Sequence, residues 1–134
     1  MKDAKEYGSI IEFKDINFNI LLDACDASYD RITLHGNEIR EDIIPLIKMA
    51  HLMSKKYDIV VTNPPYMNKF SPKLKDYINA HYAAYKGDLF SVFIYKSLVY
   101  CKQSGYAGLM TPNVWMFIKS YEELRKFIIE KKNI

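Results

Sequence analysis

Hydrophobic positions fall into short blocks whose period changes along the chain, and the period predicts the elements. Gly8-Ser9-Ile10-Ile11-Glu12-Phe13 reads as a strand, and Ile16, Phe18, Ile20 and Leu22 then alternate with polar residues in the two-residue rhythm of a second one. From about Gly36 to Lys56 the spacing lengthens. Ile39, Ile43, Leu46, Ile47, Ala50 and Met53 share one helical face, on which Pro45 either kinks the axis or opens a second helix. Tyr57-Asp58-Ile59-Val60-Val61-Thr62 is a β-branched run cut off by two prolines, as a buried parallel strand ends at the carboxyl edge of its sheet. A short helix is predicted over Pro72 to His81 and a longer one from about Asp88 to Gln103. Asp88 caps the longer one, Gly105 closes it, and Leu89, Phe90, Val92, Phe93, Ile94, Leu98 and Cys101 form its apolar surface. Tyr106 to Thr111 reads as a strand stopped by Pro112. A last helix over about Tyr121 to Lys131 is announced by Ser120 and Glu123 at capping-box spacing, with Leu124, Phe127 and Ile128 facing inward. Strand, helix, strand in succession implies a right-handed parallel crossover, and the fold class is α/β.

Composition bounds this picture. With 134 residues, 49% hydrophobic and 26% charged, the chain can bury one core, and no repeat or Gly/Ser/Pro-rich linker divides it. We therefore read residues 1–134 as one portion of a domain, with 1–56 as a strand and helix lead-in and 57–134 as a strand-helix-strand-helix unit. No apolar run approaches the roughly 20 residues that span a bilayer, and the charged N-terminus is followed by no leader-like segment, so a cytoplasmic protein is expected. Cys25 and Cys101 form no ligand pattern with each other or with His35, His51 and His81, and no metal is expected. The net charge of +3 conceals an asymmetry, because residues 1–56 carry 8 basic and 10 acidic side chains while residues 57–134 carry 11 and 6. The second part suits a polyanionic partner and equally a solvated lysine surface.

The chemistry sits in Asn63-Pro64-Pro65-Tyr66, directly after the β-branched run. Proline restricts the residue before it, and two successive prolines stiffen the turn while supplying no N–H. Carbonyl oxygens of such a segment stay available as acceptors, Asn63 adds a side-chain amide oxygen, and Tyr66 adds a flat face. A conjugated amino group is a poor nucleophile because its lone pair is delocalised. Two acceptors, Asn63 and the Pro64 carbonyl, can hold both of its hydrogens and favour the pyramidal nitrogen that attacks a methyl donor, which is catalysis by position and electrostatics. Stacking on Tyr66 would help offset the few kcal/mol of unstacking a base from duplex DNA.

This tetrapeptide resembles the (Asn/Asp/Ser)-Pro-Pro-(Tyr/Phe/Trp) motif of amino-group methyltransferases that use S-adenosylmethionine. Together with Asp3 to Ser9, Lys56 to Met67, Lys86 to Ile94, Gly105-Tyr106, Trp115-Met116-Phe117 and Glu123-Leu124-Arg125, the chain is similar almost throughout to adenine-specific DNA methyltransferases of PglX/BREX phage-defence and type II restriction-modification systems. The resemblance implies part of a Rossmann-like methyltransferase fold, with Asn63 and Pro64 holding adenine N6, Pro65 stiffening the loop and Tyr66 stacking on the flipped ring. Asp88, Leu89 and Phe90 would wall the base or cofactor pocket. Apart from the resemblance, Lys69, Lys73, Lys75 and Lys86 surround the loop in sequence and suit DNA phosphates and plain solvent exposure equally. Trp115 and Phe117 are expected to pack the core or shield the interface with the cofactor half, with base contact as the alternative. The family's glycine-rich cofactor loop has no counterpart among the 5 scattered glycines. A partial chain is therefore expected, inactive alone and partnered by duplex DNA, a cofactor-binding half and a target-recognition domain. The same loop also serves glutamine and RNA methyltransferases, and a non-catalytic nucleic-acid-binding or assembly module is the remaining alternative.

Overall fold

A computed structural model describes residues 4–13, 16–29 and 39–131. They group into two compact units, one from Glu12–Lys55 and the other from Met1–Ile11 with Lys56–Ile134. The larger unit opens with α1 (Ala4–Tyr7), and the smaller holds α2 (Phe18–Tyr29) and α3 (Ile44–Ser54). In the smaller unit the alternation from Ile16 to Leu22 is not a strand. The Asn17 side-chain oxygen accepts from the Ile20 amide at 3.2 Å, capping α2, and the buried Phe18 ring stacks on His51 with centroids 5.1 Å apart. The expected helix from Gly36 becomes a π-helical turn over Ile39–Ile43 leading into α3, with Pro45 in the first turn of α3, where its missing N–H breaks no bond. Residues 36–38 of that expectation lie outside the described residues.

The larger unit continues through β1 (Tyr57–Thr62), α4 (Pro72–His81), α5 (Leu89–Tyr100), β2 (Cys101–Leu109) and α6 (Glu122–Lys131). The strand expected from Gly8 to Phe13 is absent. A 3₁₀ turn, Gly8–Ile10, follows α1, with Gly8 at a φ of 54° that suits a residue without Cβ. Ile10 is buried among Leu74, Ile78, Tyr82, Leu89 and Val92. The Ser9 carbonyl accepts from the Tyr100 hydroxyl at 2.9 Å and the Ile10 carbonyl from the Tyr82 hydroxyl, so phenols supply the donors a sheet would have supplied.

α4 begins where Ser71 caps it and Pro72 opens it. Its buried Leu74 and Ile78 meet Leu89 and Val92 on one side of α5, while Phe90 and Ile94 on another side meet Tyr121, Leu124 and Ile128. α5 is thus buried on two sides, which explains why its apolar residues exceed one helical stripe. Its end falls earlier than the apolar spacing suggests. Cys101 takes an extended backbone (φ −69°, ψ 143°) and opens β2 opposite Tyr57, so Cys101 is a buried strand residue and not a continuation of the helix. The two strands are parallel, with Tyr57 opposite Cys101 and then, after an irregularity, Ile59 opposite Tyr106 and Thr62 opposite Leu109. The Asp58 carboxylate and Lys102 ammonium pair at 2.8 Å beside that irregularity, and the ammonium lowers the Asp58 pKa by hydrogen bond and charge; both side chains are exposed, so the pair adds little to stability.

Gly105 does not close a helix but lies under the backbone of β1. A Cβ there would stand 2.8 Å from the Tyr57 carbonyl oxygen and 2.9 Å from that of Asp58, and neither can rotate away. Gly105→Ala is expected to destabilise the larger unit by about 1–3 kcal/mol, as overpacking does. Urea unfolding followed by circular dichroism measures this, and an unchanged midpoint would show that the irregularity widens without penalty.

The apolar run of β1 is less buried than a parallel strand's usually is: Ile59 is 66% exposed, Val61 76%, and Tyr106 opposite Ile59 77%. One side of the strand pair lies against α5, and on the other side these residues are left uncovered by the described residues. The final helix also starts differently, since Ser120 sits inside a 3₁₀ turn, Lys119–Tyr121, that carries the chain into α6. No helix among the described residues is long and apolar enough to cross a membrane.

Candidate functional site

The Asn63-Pro64-Pro65-Tyr66 turn leaves the carboxyl end of β1 and is held at both ends. At its start, the Met110 amide donates to the Thr62 carbonyl at 3.3 Å, extending the β1–β2 ladder to the last residue before Asn63. At its finish, the Tyr66 hydroxyl donates to the Met110 carbonyl at 3.0 Å. One residue, through its two backbone groups, therefore closes the turn like a clasp. The next residue, Met67, is fixed independently: its amide donates to Asp88 Oδ1 at 2.9 Å, and its carbonyl accepts from the Leu89 amide at 2.8 Å.

Between these anchors the turn is uncommitted. Among the described residues no hydrogen bond reaches the Asn63 side chain or the carbonyls of Asn63, Pro64 and Pro65. Pro64 is buried, whereas Asn63, Pro65 and Tyr66 are exposed. The Tyr66 ring meets Phe90 edge-on, with centroids 6.2 Å apart and planes at 89°. With its hydroxyl tethered and its ring perpendicular to that of Phe90, Tyr66 has a defined plane while 55% of the residue remains exposed. A stiff backbone, free acceptors and an oriented ring are what binding a planar amine requires.

Asp88 has two structural duties. Its Oδ1 accepts from Phe90 N at 3.2 Å, capping α5, and from Met67 N, gripping the exit of the turn. Leu89 and Phe90 are core residues, Leu89 in the cluster with Ile10 and Phe90 in that with Tyr121; the Phe90 ring reaches the site through Tyr66, and Leu89 reaches it only through its backbone amide on Met67. The Tyr121 phenol has its pKa raised by burial and by the Asp88 charge, and its ring would lie 3.0 Å from a Cβ on Gly87. Trp115 packs against the same core and donates from Nε1 to Thr111 Oγ1 at 3.2 Å, whereas Phe117 is exposed. Lys69, Lys75 and Lys86 line one groove beyond Met67; Lys73 does not line it. His51 and His81 stand beside aromatic rings, and His35 lies outside the described residues. Among the described residues no three His, Cys, Asp or Glu side chains gather in a metal-holding group.

Sequence reasoning missed Met67 and Met110, which act through main-chain groups and so carry no residue signature. Register alone could have found Met110, since it is the first residue past the partner of Thr62.

A strand running into a rigid polar turn, then a capped helix and a parallel neighbouring strand, defines an α/β protein with its candidate site at the carboxyl end of the strands. The chain belongs to the Eco57I restriction-modification methylase family, whose profile matches residues 4–134. It is 30% identical over 96% of its length to an adenine-specific methyltransferase, BrxX, of Escherichia coli O9:H4 (strain HS), and 33% identical over 91% to the adenine-specific methyltransferase PglX of Lacticaseibacillus casei (strain Zhang). Over 72% of its length it is also 33% identical to RM.Eco57I, a type II restriction enzyme and methyltransferase of Escherichia coli. The chain spans only about a tenth of these relatives, covering 11%, 11% and 10% of them.

Proposed function

We propose that this chain is the amine-holding part of an adenine-N6 DNA methyltransferase that acts on duplex DNA in the cytoplasm, in a restriction-modification or phage-defence system. The observation that carries this reading is the turn at Asn63 to Tyr66, pinned at Thr62, Tyr66 and Met67 with its acceptors uncommitted. A flipped adenine would stack on Tyr66, with its two N6 hydrogens donated to the Asn63 side-chain oxygen and the Pro64 carbonyl. Holding both hydrogens out of the ring plane turns the nitrogen lone pair toward its electrophile, and because the acceptors are already in place no reorganisation is needed.

S-adenosylmethionine would supply the electrophilic methyl, but the residues present do not fit a complete site for it. The glycine-rich turn the family resemblance calls for has no equivalent among the described glycines: Gly8 lies in the N-terminal turn, Gly87 against Tyr121, and Gly105 and Gly108 within β2. No step through the donor is assigned to this chain. The cofactor-binding half, a Rossmann-like sheet and the target-recognition domain are supplied by partner segments, and the chain alone is inactive. The bare side of the strand pair at Ile59, Val61 and Tyr106 supports this, since parallel sheets are covered on both faces.

The test assembles the chain with a cofactor-binding portion from a close relative and measures radiolabelled methyl transfer to unmethylated duplex DNA, RNA and a glutamine-containing protein substrate. Label in N6-methyladenine of DNA is expected; label only in RNA or protein would overturn the substrate. In the same assembly Tyr66→Phe, which keeps the ring and removes the tether to Met110, should lower kcat/KM by roughly two- to tenfold, the value of one ordinary hydrogen bond. An unaltered rate would mean the tether does not orient the ring.

A further inference from the structure

Directly beyond the turn lies a groove of about 620 Å³ between the segment after Tyr66, one side of α4 and the residues preceding α5. Lys69 comes from the first, Lys75 from the second and Lys86 from the third, so three lysines from three separate segments line one concavity. All three are exposed, none has a carboxylate partner among the described residues, and no acidic residue lines the groove. Asn68 and Asn79 border it with side-chain amides that are likewise uncommitted among the described residues. These lysines account for much of the surplus of 11 basic over 6 acidic side chains in residues 57–134. Surface lysines usually pair or scatter; a shared hollow without a counter-charge is the arrangement a polyanion satisfies.

Its position narrows the ligand. Asn68 is two residues past Tyr66, so chain geometry keeps their Cα atoms within about 7 Å. A base stacked on Tyr66 therefore leaves its sugar-phosphate chain beside the groove mouth, and a phosphodiester offers one charge per nucleotide to lysines spread along a track. We propose that this groove seats the backbone of the DNA strand carrying the target base, with Lys69, Lys75 and Lys86 holding phosphates and Asn68 and Asn79 hydrogen-bonding along the chain. The proposal rests on the reading of the turn as a base-holding site and adds to it where the strand runs.

The experiment measures fluorescence anisotropy of a labelled 20-base-pair duplex with the 134-residue chain across a salt series. It compares wild type, the triple variant Lys69→Gln/Lys75→Gln/Lys86→Gln, and a charge-matched control, Lys102→Gln/Lys119→Gln/Lys126→Gln. The groove variant should lose about tenfold or more in affinity, with the slope of log K against log salt shallower by about 2–3, as expected for three lost phosphate contacts. The control should change by less than about twofold, the phosphate contacts being intact. Equal losses in both triples would reduce the effect to net charge and overturn the proposal, as would wild-type chain that fails to bind at low salt. Polyglutamate competing as well as DNA at equal charge would overturn the phosphodiester assignment. Failure here is separable from failure of the turn's role: a groove triple that binds DNA like wild type, beside an Asn63→Ala assembly that loses methyl transfer, would reject the groove and keep the turn.

Discussion

Asn63→Ala is expected to lower methyl transfer by the assembled enzyme by at least about 10²–10³-fold, the range seen when one preorganised polar group is removed from a developing charge. The loss should fall in kcat, with DNA affinity nearly unchanged, because the Asn63 oxygen matters most when the amine becomes pyramidal. Folding should be preserved: Asn63 is exposed and its side chain makes no hydrogen bond among the described residues. Asn63→Asp keeps an acceptor at the same place and should retain far more activity than alanine. Single-turnover incorporation with saturating DNA, run beside a thermal unfolding curve, separates these effects. Near wild-type turnover in the alanine variant would remove Asn63 from the chemistry.

Asp88→Ala should have the second largest effect, and on two properties at once. Its Oδ1 serves the Met67 and Phe90 amides together, so truncation removes a helix cap and frees the exit of the turn. Loss of a cap alone costs about 0.5–2 kcal/mol, and freeing the second amide adds to it. Activity should fall further than stability explains, since the exit of the turn would then be held only through the Met67 carbonyl and the Leu89 amide, leaving Tyr66 less firmly placed. Asp88→Asn retains the acceptor oxygen and should recover most of both. Hydrogen exchange at the Met67 amide is the specific readout: acceleration in Asp88→Ala but not in Asp88→Asn supports the grip, and equal protection in all three proteins would refute it.

How much of this was legible beforehand depends on how local each interaction is. β1, α4 and the start of α5 are written in neighbouring residues: a β-branched run cut by prolines, Ser71 with Pro72 at a helix start, and Asp88 two residues before the amide it caps. The N-terminal blocks misled because apolar alternation predicts a strand only if an edge exists to receive it. Gly8 to Phe13 found two tyrosine hydroxyls and a core pocket instead, and Phe18 found His51. Likewise, Cys101 continues a helical apolar face by spacing, yet its backbone joins β2 because Tyr57 lies opposite.

By itself the sequence determined where a stiff turn with an amide and an aromatic ring falls, because two prolines after an asparagine stiffen a backbone wherever they occur and Tyr66 follows them. Tertiary structure alone decided that Met110 clasps the turn, that Asp88 holds Met67, and that three of the four candidate lysines share a groove. These depend on groups far apart in the chain, 44 positions between Tyr66 and Met110 and 21 between Met67 and Asp88, and only folding brings such pairs within about 3 Å or gathers Lys69, Lys75 and Lys86 into one hollow.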